Sequence, residues 1–464
     1  MRIMKFLIVI AATVLPLTAD NSVMIQDESG TGCANCTFKI SRYFAEGELA
    51  NYPRPRIGGS PAAYWQAHVR TRWSGGSVRF AVLYVEASLP AGGSLTIDFV
   101  NDANQNSGGS AMTKQQMLDF DAGGGAGSWG CKIETVSGGV ALGASCRAML
   151  TNDHYRVLED GPLATTVLIR EGPDTVADGF TRDYSFGYQC TANCTAPYAA
   201  STWVAAPNAT HESMRPSFVV TFYRKWGKVR AQYLLDNGWG DRLQDQYVRL
   251  QLYNGGGENS LVYDTGQGFF FPARARAFEE AWEAAPPEYS LDLNTQYMES
   301  TGAIPEFGPR IIGSQAIALE KAAFDATDQG KTRSDAGEHS GMGMGTGQWE
   351  LDMSAAGGRP DIGLFPRWDA RLLLSWHKDL WTVSKGNARA MMHTPIFVLE
   401  YDSTRNYCSS SDCGLGGGTV TAFGRPVSID ARPTFTAHSN QSAPDDLPTP
   451  VGTVTRSDDG RASS

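Results

Sequence analysis

The densest group of residues able to do chemistry lies between residues 338 and 369. It reads Glu338-His339-Ser340, then Gln348-Trp349-Glu350 and Asp352, then Arg359-Pro360-Asp361-Ile362-Gly363 and Arg367-Trp368-Asp369. Histidine, carboxylates, arginines and tryptophan together are what a sugar site needs. Flat aromatic faces meet pyranose C–H surfaces, and charged side chains bind hydroxyl or carboxylate groups. Two reactions fit this mixture. In glycoside hydrolysis one carboxyl protonates the leaving oxygen and a second activates water or attacks, and Glu338, Glu350, Asp352, Asp361 and Asp369 are available for it. In β-elimination on a uronate, His339 would remove the proton α to the carboxylate while Arg359 or Arg367 faces the acid group. The candidate catalytic residues are therefore His339, Asp361 and Arg367, with Glu338, Trp349, Arg359 and Asp369 on the substrate.

Each residue also has a plainer reading. His339 can be a solvated loop histidine. Asp361 can form an Asx turn after Pro360 or cap the helix that begins near Phe365, and Arg367 and Asp369 can decorate that helix. Trp368 falls on an apolar stripe, which makes it a core residue, whereas Trp349 is the better candidate for an exposed face. Gly341-Met-Gly343-Met-Gly345-Thr-Gly347 places glycine at alternate positions. That is a mobile loop rather than a dinucleotide fingerprint, because no strand precedes it. A Walker loop, an HExxH pair and a Gly-x-Ser-x-Gly elbow are absent from the sequence.

The elements that must hold this cluster are mostly strands. Val78–Val85 is rich in β-formers, and Leu95, Ile97 and Phe99 alternate with polar neighbours across the turn residues Leu89-Pro90-Ala91-Gly92-Gly93. Further strands are expected over 132–136, 163–170, 217–224, 228–235, 247–253 and 260–263, with Lys225-Trp226-Gly227 as a tight hairpin turn. Short strands with glycine-rich turns argue for antiparallel β-sandwiches. Helices are expected over 273–285, stopping before Pro286-Pro287, and from Ser314 to about Ala326, with Ala316, Leu319 and Ala323 on one stripe. Two more follow, one carrying Phe365, Trp368, Leu372 and Trp376, the other capped by Asp379 and carrying Leu380, Val383 and Ala390. The fold class is thus mainly β, antiparallel sandwich domains over 20–112 and 113–300, followed by a small helical and loop region over 301–437. A polar, Pro- and Ser-rich tail over 438–464 is expected to be disordered.

Residues 1–19 read as a signal peptide, with Arg2 and Lys5 before an apolar run too short to span a bilayer and Ala19 at the cut. Export to the periplasm or the extracellular space follows. The eight cysteines agree with it. Their clustering suggests the local disulfides Cys33–Cys36, Cys131–Cys146, Cys190–Cys194 and Cys408–Cys413, the second closing a hairpin around Gly138-Gly139. Zinc held by Cys33, Cys36, Cys190 and Cys194 is the rival reading. Sequons stand at Asn35, Asn193, Asn208 and Asn440.

The 464 residues carry 39 basic and 49 acidic side chains, a net charge of −10. That balance gives no general attraction to nucleic acid. No stretch after the leader has the length and apolarity of a membrane span. No cofactor is required by these residues, a calcium requirement stays open, and the oligomeric state is not legible.

Two regions carry a family resemblance. Trp73-Ser-Gly-Gly-Ser-Val-Arg79-Phe-Ala-Val-Leu83, followed by Ser88-Leu-Pro-Ala-Gly-Gly-Ser94, resembles the N-terminal β-domain of bacterial exo-rhamnogalacturonan-lyase-like (YetA-like) proteins. Gly357-Gly-Arg-Pro-Asp361-Ile-Gly363, Pro366-Arg-Trp368 and Gly424-Arg-Pro-Val-Ser428 resemble a segment of large secreted bacterial proteins that pair such domains with helical toroids. The resemblance implies a secreted protein that handles acidic polysaccharide. A full toroid would need further helical hairpins after Pro426, so the helical part is expected to be shortened. Two functions follow: a polysaccharide lyase or glycoside hydrolase, or a glycan-binding or structural surface module that does not cut.

Overall fold

The computed structural model describes residues 20–137, 140–170, 188–190, 203–205, 214–237, 246–266, 269–271, 276–306, 312–327, 347–349, 359, 361–392, 406–408 and 420–421. The leader, the 438–464 tail and the 341–346 glycine run lie outside them. Every strand pair described is antiparallel, and the fold is mainly β, as the alternation and turn residues indicate.

The first sandwich is built from β1 (Val23–Asp27), β2 (Cys33–Tyr43), β3 (Tyr52–Ile57), β4 (Ser60–Pro61), β5 (Trp65–Arg72), β6 (Val78–Leu89) and β7 (Ser94–Asp102). One sheet runs β1-β7-β3-β4 and the other β2-β6-β5. Ile25, Phe38, Ile40, Trp65, Leu83, Val85, Ile97 and Phe99 fill the space between them. Burying each large side chain contributes about 1.5–3 kcal/mol. The alternation in β6 is only partial for a physical reason. Ala81, Leu83 and Val85 face this core, while Val82 and Tyr84 on the opposite face meet Leu163, Ala164 and Tyr223 of the second sandwich.

The second sandwich contains β8 (Cys131–Ser137), β9 (Val140–Ser145), β10 (Tyr155–Glu159), β11 (Ala164–Arg170), β12 (Tyr188–Cys190), β13 (Trp203–Ala205), β14 (Met214–Tyr223), β15 (Lys228–Asn237), β16 (Gln246–Asn254), β17 (Ser260–Asp264), β18 (Phe269–Phe271) and β19 (Arg276–Glu283). Its sheets run β10-β11-β14-β15-β19 and β17-β16-β8-β9, with β18 on β16 and β12 and β13 as a separate ribbon. Short helices α1 (Lys114–Leu118) and α2 (Cys146–Thr151) close one side, and Trp129, Met149, Phe218, Phe222 and Leu252 are among the buried residues. The β14–β15 turn forms where expected, ending on Gly227 at φ +65°, a backbone region that favours glycine.

The helix expected over 273–285 is instead the edge strand β19. It pairs with β15 from Val229↔Glu283 to Asp236↔Arg276, and an Arg276–Asp236 ion pair fastens the end. Sheet pairing along the whole segment outweighs the weak helical preference of its Ala and Glu residues. After Pro286-Pro287 the chain crosses back, and β20 (Tyr289–Asp292) pairs with β1. Residues 289–292 therefore extend the first sandwich.

Buried polar groups join the sandwiches. Gln66 accepts from the N–H groups of Leu163 and Ala164, both at 2.9 Å, and donates to the Ala164 carbonyl at 2.9 Å. Glu159 takes Lys39 at 3.3 Å and also bonds Arg70 and Tyr84.

The helical unit holds α3 (Thr295–Ser300), α4 (Ser314–Asp325), α5 (Arg367–Ser375) and α6 (Lys378–Met391), with the ribbon strands β21 (Asn406–Cys408) and β22 (Val420–Thr421) further on. The α5 and α6 stripes are buried at Trp368, Leu372, Leu380, Val383 and Ala390. On α4 the buried residues are Ile317, Glu320 and Phe324, and Leu319 is 62% exposed. The inward face is displaced by one residue from the expected stripe because its middle member is a charged glutamate. Gly313, not Ser314, stands at the α4 cap, and His377, not Asp379, caps α6, its Nδ1 accepting from the Asp379 N–H at 3.2 Å. Among the described residues no helix is long and apolar enough to cross a membrane.

Candidate functional site

Glu338 and His339 lie outside the described residues. The other members of the sequence cluster are held in separate contacts within the helical unit. Trp349 is half-buried. Its ring meets Trp368 edge-on at 5.1 Å and its Nε1 donates to the Asn387 carbonyl at 2.7 Å. Arg359 and Asp361 form a two-point ion pair, at 3.0 and 2.6 Å, with both side chains largely buried. Arg367 donates to Glu320 through Nε at 2.9 Å and Nη2 at 3.1 Å, and Arg371 and Gln348 bond the same carboxylate. Asp369 accepts from Ser384, and burial pushes its carboxyl up. Trp349, Arg359, Asp361, Arg367 and Asp369 line none of the hollows described next.

Cys131 and Cys146 are joined, their Cα atoms 5.4 Å apart, across the β8–β9 hairpin. Cys33 and Cys36 stand at a bulge of β2 with Cα atoms 6.0 Å apart, within disulfide reach. The side chains of Cys190, Cys194, Cys408 and Cys413 lie outside the described residues. Among the described residues no three His, Cys, Asp or Glu side chains converge on a metal-sized space.

A furrow that the sequence did not announce runs between the β1–β20 edge and the helical unit. Three adjoining hollows form it, with volumes of about 1310, 370 and 870 Å³. Met24, Asp292, Ser375 and Trp376 are common to the first two, and Glu28, Ser290 and Lys378 to the last two. Helix α6 makes this possible because it carries two stripes. Leu380, Val383, Asn387 and Ala390 turn inward, while Lys378, Trp381, Thr382, Lys385 and Arg389 face the furrow at helical spacing.

The first hollow is acidic. Asp20, Glu48, Asp98, Asp292, Glu299 and Glu306 line it, and the one cation among its described lining residues, Arg56, is engaged by Asp98 at 2.7 Å. Burial pushes the Asp292 carboxyl up, against the Asn294 N–H at 2.8 Å and the charge of Arg42. Arg42 itself is buried with its guanidinium 4.3 Å from the Tyr297 ring centre, and burial pulls its pKa down to about 10.

The third hollow sits where both sandwiches and the helical unit meet. Trp282, Tyr289 and Trp381 line it together with Arg230, Lys378, Lys385 and Arg389. Trp381 donates to the Leu291 carbonyl at 2.8 Å and Trp282 stacks on Tyr223 at 5.4 Å. Three of the cations have carboxylate partners: Arg230 with Glu280 at 3.8 Å, Lys378 with Glu28 at 3.7 Å and Arg389 with Glu279 at 3.9 Å. Partial desolvation, then the charge of Arg389, pulls the Lys385 ammonium below the usual lysine range.

No protein-family model and no curated protein matches this chain. Among solved structures, similarity is found to an α-mannosidase from Enterococcus faecalis V583, at 9% identity and a TM-score of 0.24, over 50% of this chain and 32% of that one. A glycosyl hydrolase family 38 protein from Enterococcus faecalis gives 11% identity and a TM-score of 0.26, over 51% of this chain and 33% of that one. This chain thus spans about a third of each.

The third hollow of the furrow combines aromatic rings, cations and carboxylates at a domain junction, a common location for ligand sites. Sequence reasoning missed it because its residues come from the turn after β1 and from β15, β19, β20 and α6. The available signal was the Lys378, Trp381, Thr382, Lys385, Arg389 spacing, a polar stripe on the helix opposite its apolar one.

Proposed function

We propose that this is an exported protein that binds an acidic polysaccharide in the furrow between the sandwiches and the helical unit. The third hollow carries the reading. Among the described residues four aromatic side chains, Phe278, Trp282, Tyr289 and Trp381, and four cations line a single hollow of about 870 Å³, large enough for part of an oligosaccharide. The paired Cys131 and Cys146 support export. The described members of the 338–369 cluster are engaged in holding the helical unit together, which favours binding without cleavage over a lyase or hydrolase.

The test is calorimetric titration with uronate-containing and neutral oligosaccharides, alongside absorbance of unsaturated products and an assay for new reducing ends. Binding of uronate oligomers without either product is the expected result. An unsaturated product would replace binding with β-elimination, reducing ends alone would replace it with hydrolysis, and no binding of any uronate would remove the acidic-glycan reading.

A further inference from the structure

Resting on the acidic-glycan reading, we infer that Lys385 is the specificity-determining residue of the third hollow, and that it selects a free carboxylate on the ligand over its ester or a neutral sugar. The other three cations of the hollow stand within 4 Å of protein carboxylates: Arg230 of Glu280, Lys378 of Glu28 and Arg389 of Glu279. Among the described residues Lys385 has no hydrogen-bond or ion-pair partner, and its side chain reaches solvent.

Its position suits the task. Trp381 lies one turn earlier on α6, and residues four apart on a helix face are about 6 Å apart at Cβ, the scale of one sugar ring. A ring packed against Trp381 would bring a C5 carboxylate to the Lys385 ammonium, while a methyl ester or hydroxymethyl group would offer it no carboxylate in direct contact beyond the more distant charges of Glu280 and Glu288. Other charged groups of the hollow are Glu280 on β19, Glu288 after Pro286-Pro287, Arg230 on β15, Glu28 after β1, and Lys378, Asp379 and Arg389 on α6. Among the described residues four carboxylates stand against four cations, so selection for an anion falls to Lys385, the cation with no carboxylate in ion-pair contact among those residues. A bound carboxylate would offset the desolvation that lowers the Lys385 pKa and keep the ammonium charged.

The experiment compares galacturonate, glucuronate and mannuronate oligomers with their methyl esters, titrated into the full protein, Lys385→Gln and Lys385→Arg. A hydrogen bond to a charged group is worth roughly tenfold or more in affinity. The wild type is therefore expected to prefer at least one free acid to its ester by about tenfold. Lys385→Gln should abolish that preference while still binding both forms through the aromatic surface, and Lys385→Arg should restore most of it. Unchanged melting temperatures would show that both variants fold, since Lys385 is an exposed residue. Equal binding of acid and ester by the wild type, or an undiminished preference in Lys385→Gln, overturns the assignment and leaves the glycan reading standing. Failure of the wild type to bind any uronate oligomer, acid or ester, overturns both.

Discussion

Glu320 should behave as a buried carboxylate that tolerates the loss of one arginine but not of two. Its side chain is 0% exposed, whereas those of Arg367 and Arg371 are 45% and 29% exposed. In Arg367→Ala the carboxylate keeps Arg371 and the Gln348 amide at 2.8 Å, and the pair lost is half solvated. Its cost is therefore discounted to about 1 kcal/mol. Arg371→Ala leaves Arg367 in place and costs about the same. Removing both strands a buried carboxylate with one neutral partner, and loss of all cationic partners typically costs 3–5 kcal/mol. The double-mutant cycle should thus show a coupling of roughly 2 kcal/mol beyond additivity.

Urea unfolding followed by tryptophan fluorescence is a suitable assay, because Trp349 and Trp368 lie in the same unit. The pH dependence supplies a second check. Burial pushes the Glu320 carboxyl up, but Arg367, Gln348 and Arg371 together hold it below 4.5 in the wild type. That stabilisation is present above 4.5 and lost as the pH falls through the lowered value. In the double variant burial acts with only Gln348 opposing it, the carboxyl rises, and stability instead falls as the pH increases through the raised value. Additive losses with an unchanged pH profile would refute the buried-charge reasoning. Loss of ligand binding in Arg367→Ala without loss of stability would return Arg367 to the substrate.

Gln66→Ala should loosen the two sandwiches from each other. It leaves the Leu163 and Ala164 N–H groups and the Ala164 carbonyl without partners, a cost of about 3 kcal/mol or more by chemical denaturation, and a loss below about 1 kcal/mol would show that water replaces the amide. Burial raises the Glu159 carboxyl, but Lys39, Tyr84 and Arg70 hold it below its ordinary 4.5. Its stabilisation is therefore present above 4.5 and lost as the pH falls through the lowered value, and Glu159→Gln should flatten that limb of the melting-temperature profile. Gly386→Ala should destabilise the helical unit although alanine favours helix by up to about 1 kcal/mol. The new Cβ would lie 2.7 Å from Cε2 of the buried Phe324, and overpacking of this kind costs about 1–3 kcal/mol, so a higher melting temperature would show that the ring yields freely.

The strands were legible because alternation and turn residues are local. The β14–β15 hairpin and the Cys131–Cys146 closure appear where residue types alone put them. Elements whose environment comes from distant sequence were not legible. The segment 276–283 carries helix-forming residues but becomes a strand because β15 offers it a full ladder. The α4 face was displaced by one residue because a buried glutamate, made acceptable by two arginines on another helix, looks polar in sequence. The same exchange misdirects the search for a site. The 338–369 stretch is dense in charge, and its described members Arg359, Asp361, Arg367 and Asp369 bond protein partners rather than line the furrow.

The location of the furrow follows from one crossing of the chain. Proline lacks an N–H to continue a ladder, so Pro286-Pro287 ends the run begun by β19, and β20 leaves the second sandwich to pair with β1. The crossing strand then becomes the surface on which the helical unit sits, and polar tethers fasten it there. Trp381 bonds the Leu291 carbonyl, and Lys378 and Arg389 reach Glu28 and Glu279. Such long side chains hold helix and sheet together at a distance without filling the space between them, unlike interdigitated apolar residues. The hollows are the space left over. A ligand that fills the third hollow therefore contacts residues of the first sandwich, the second sandwich and α6, and its binding should stabilise their mutual placement by an amount that grows with the logarithm of the free ligand concentration above its Kd.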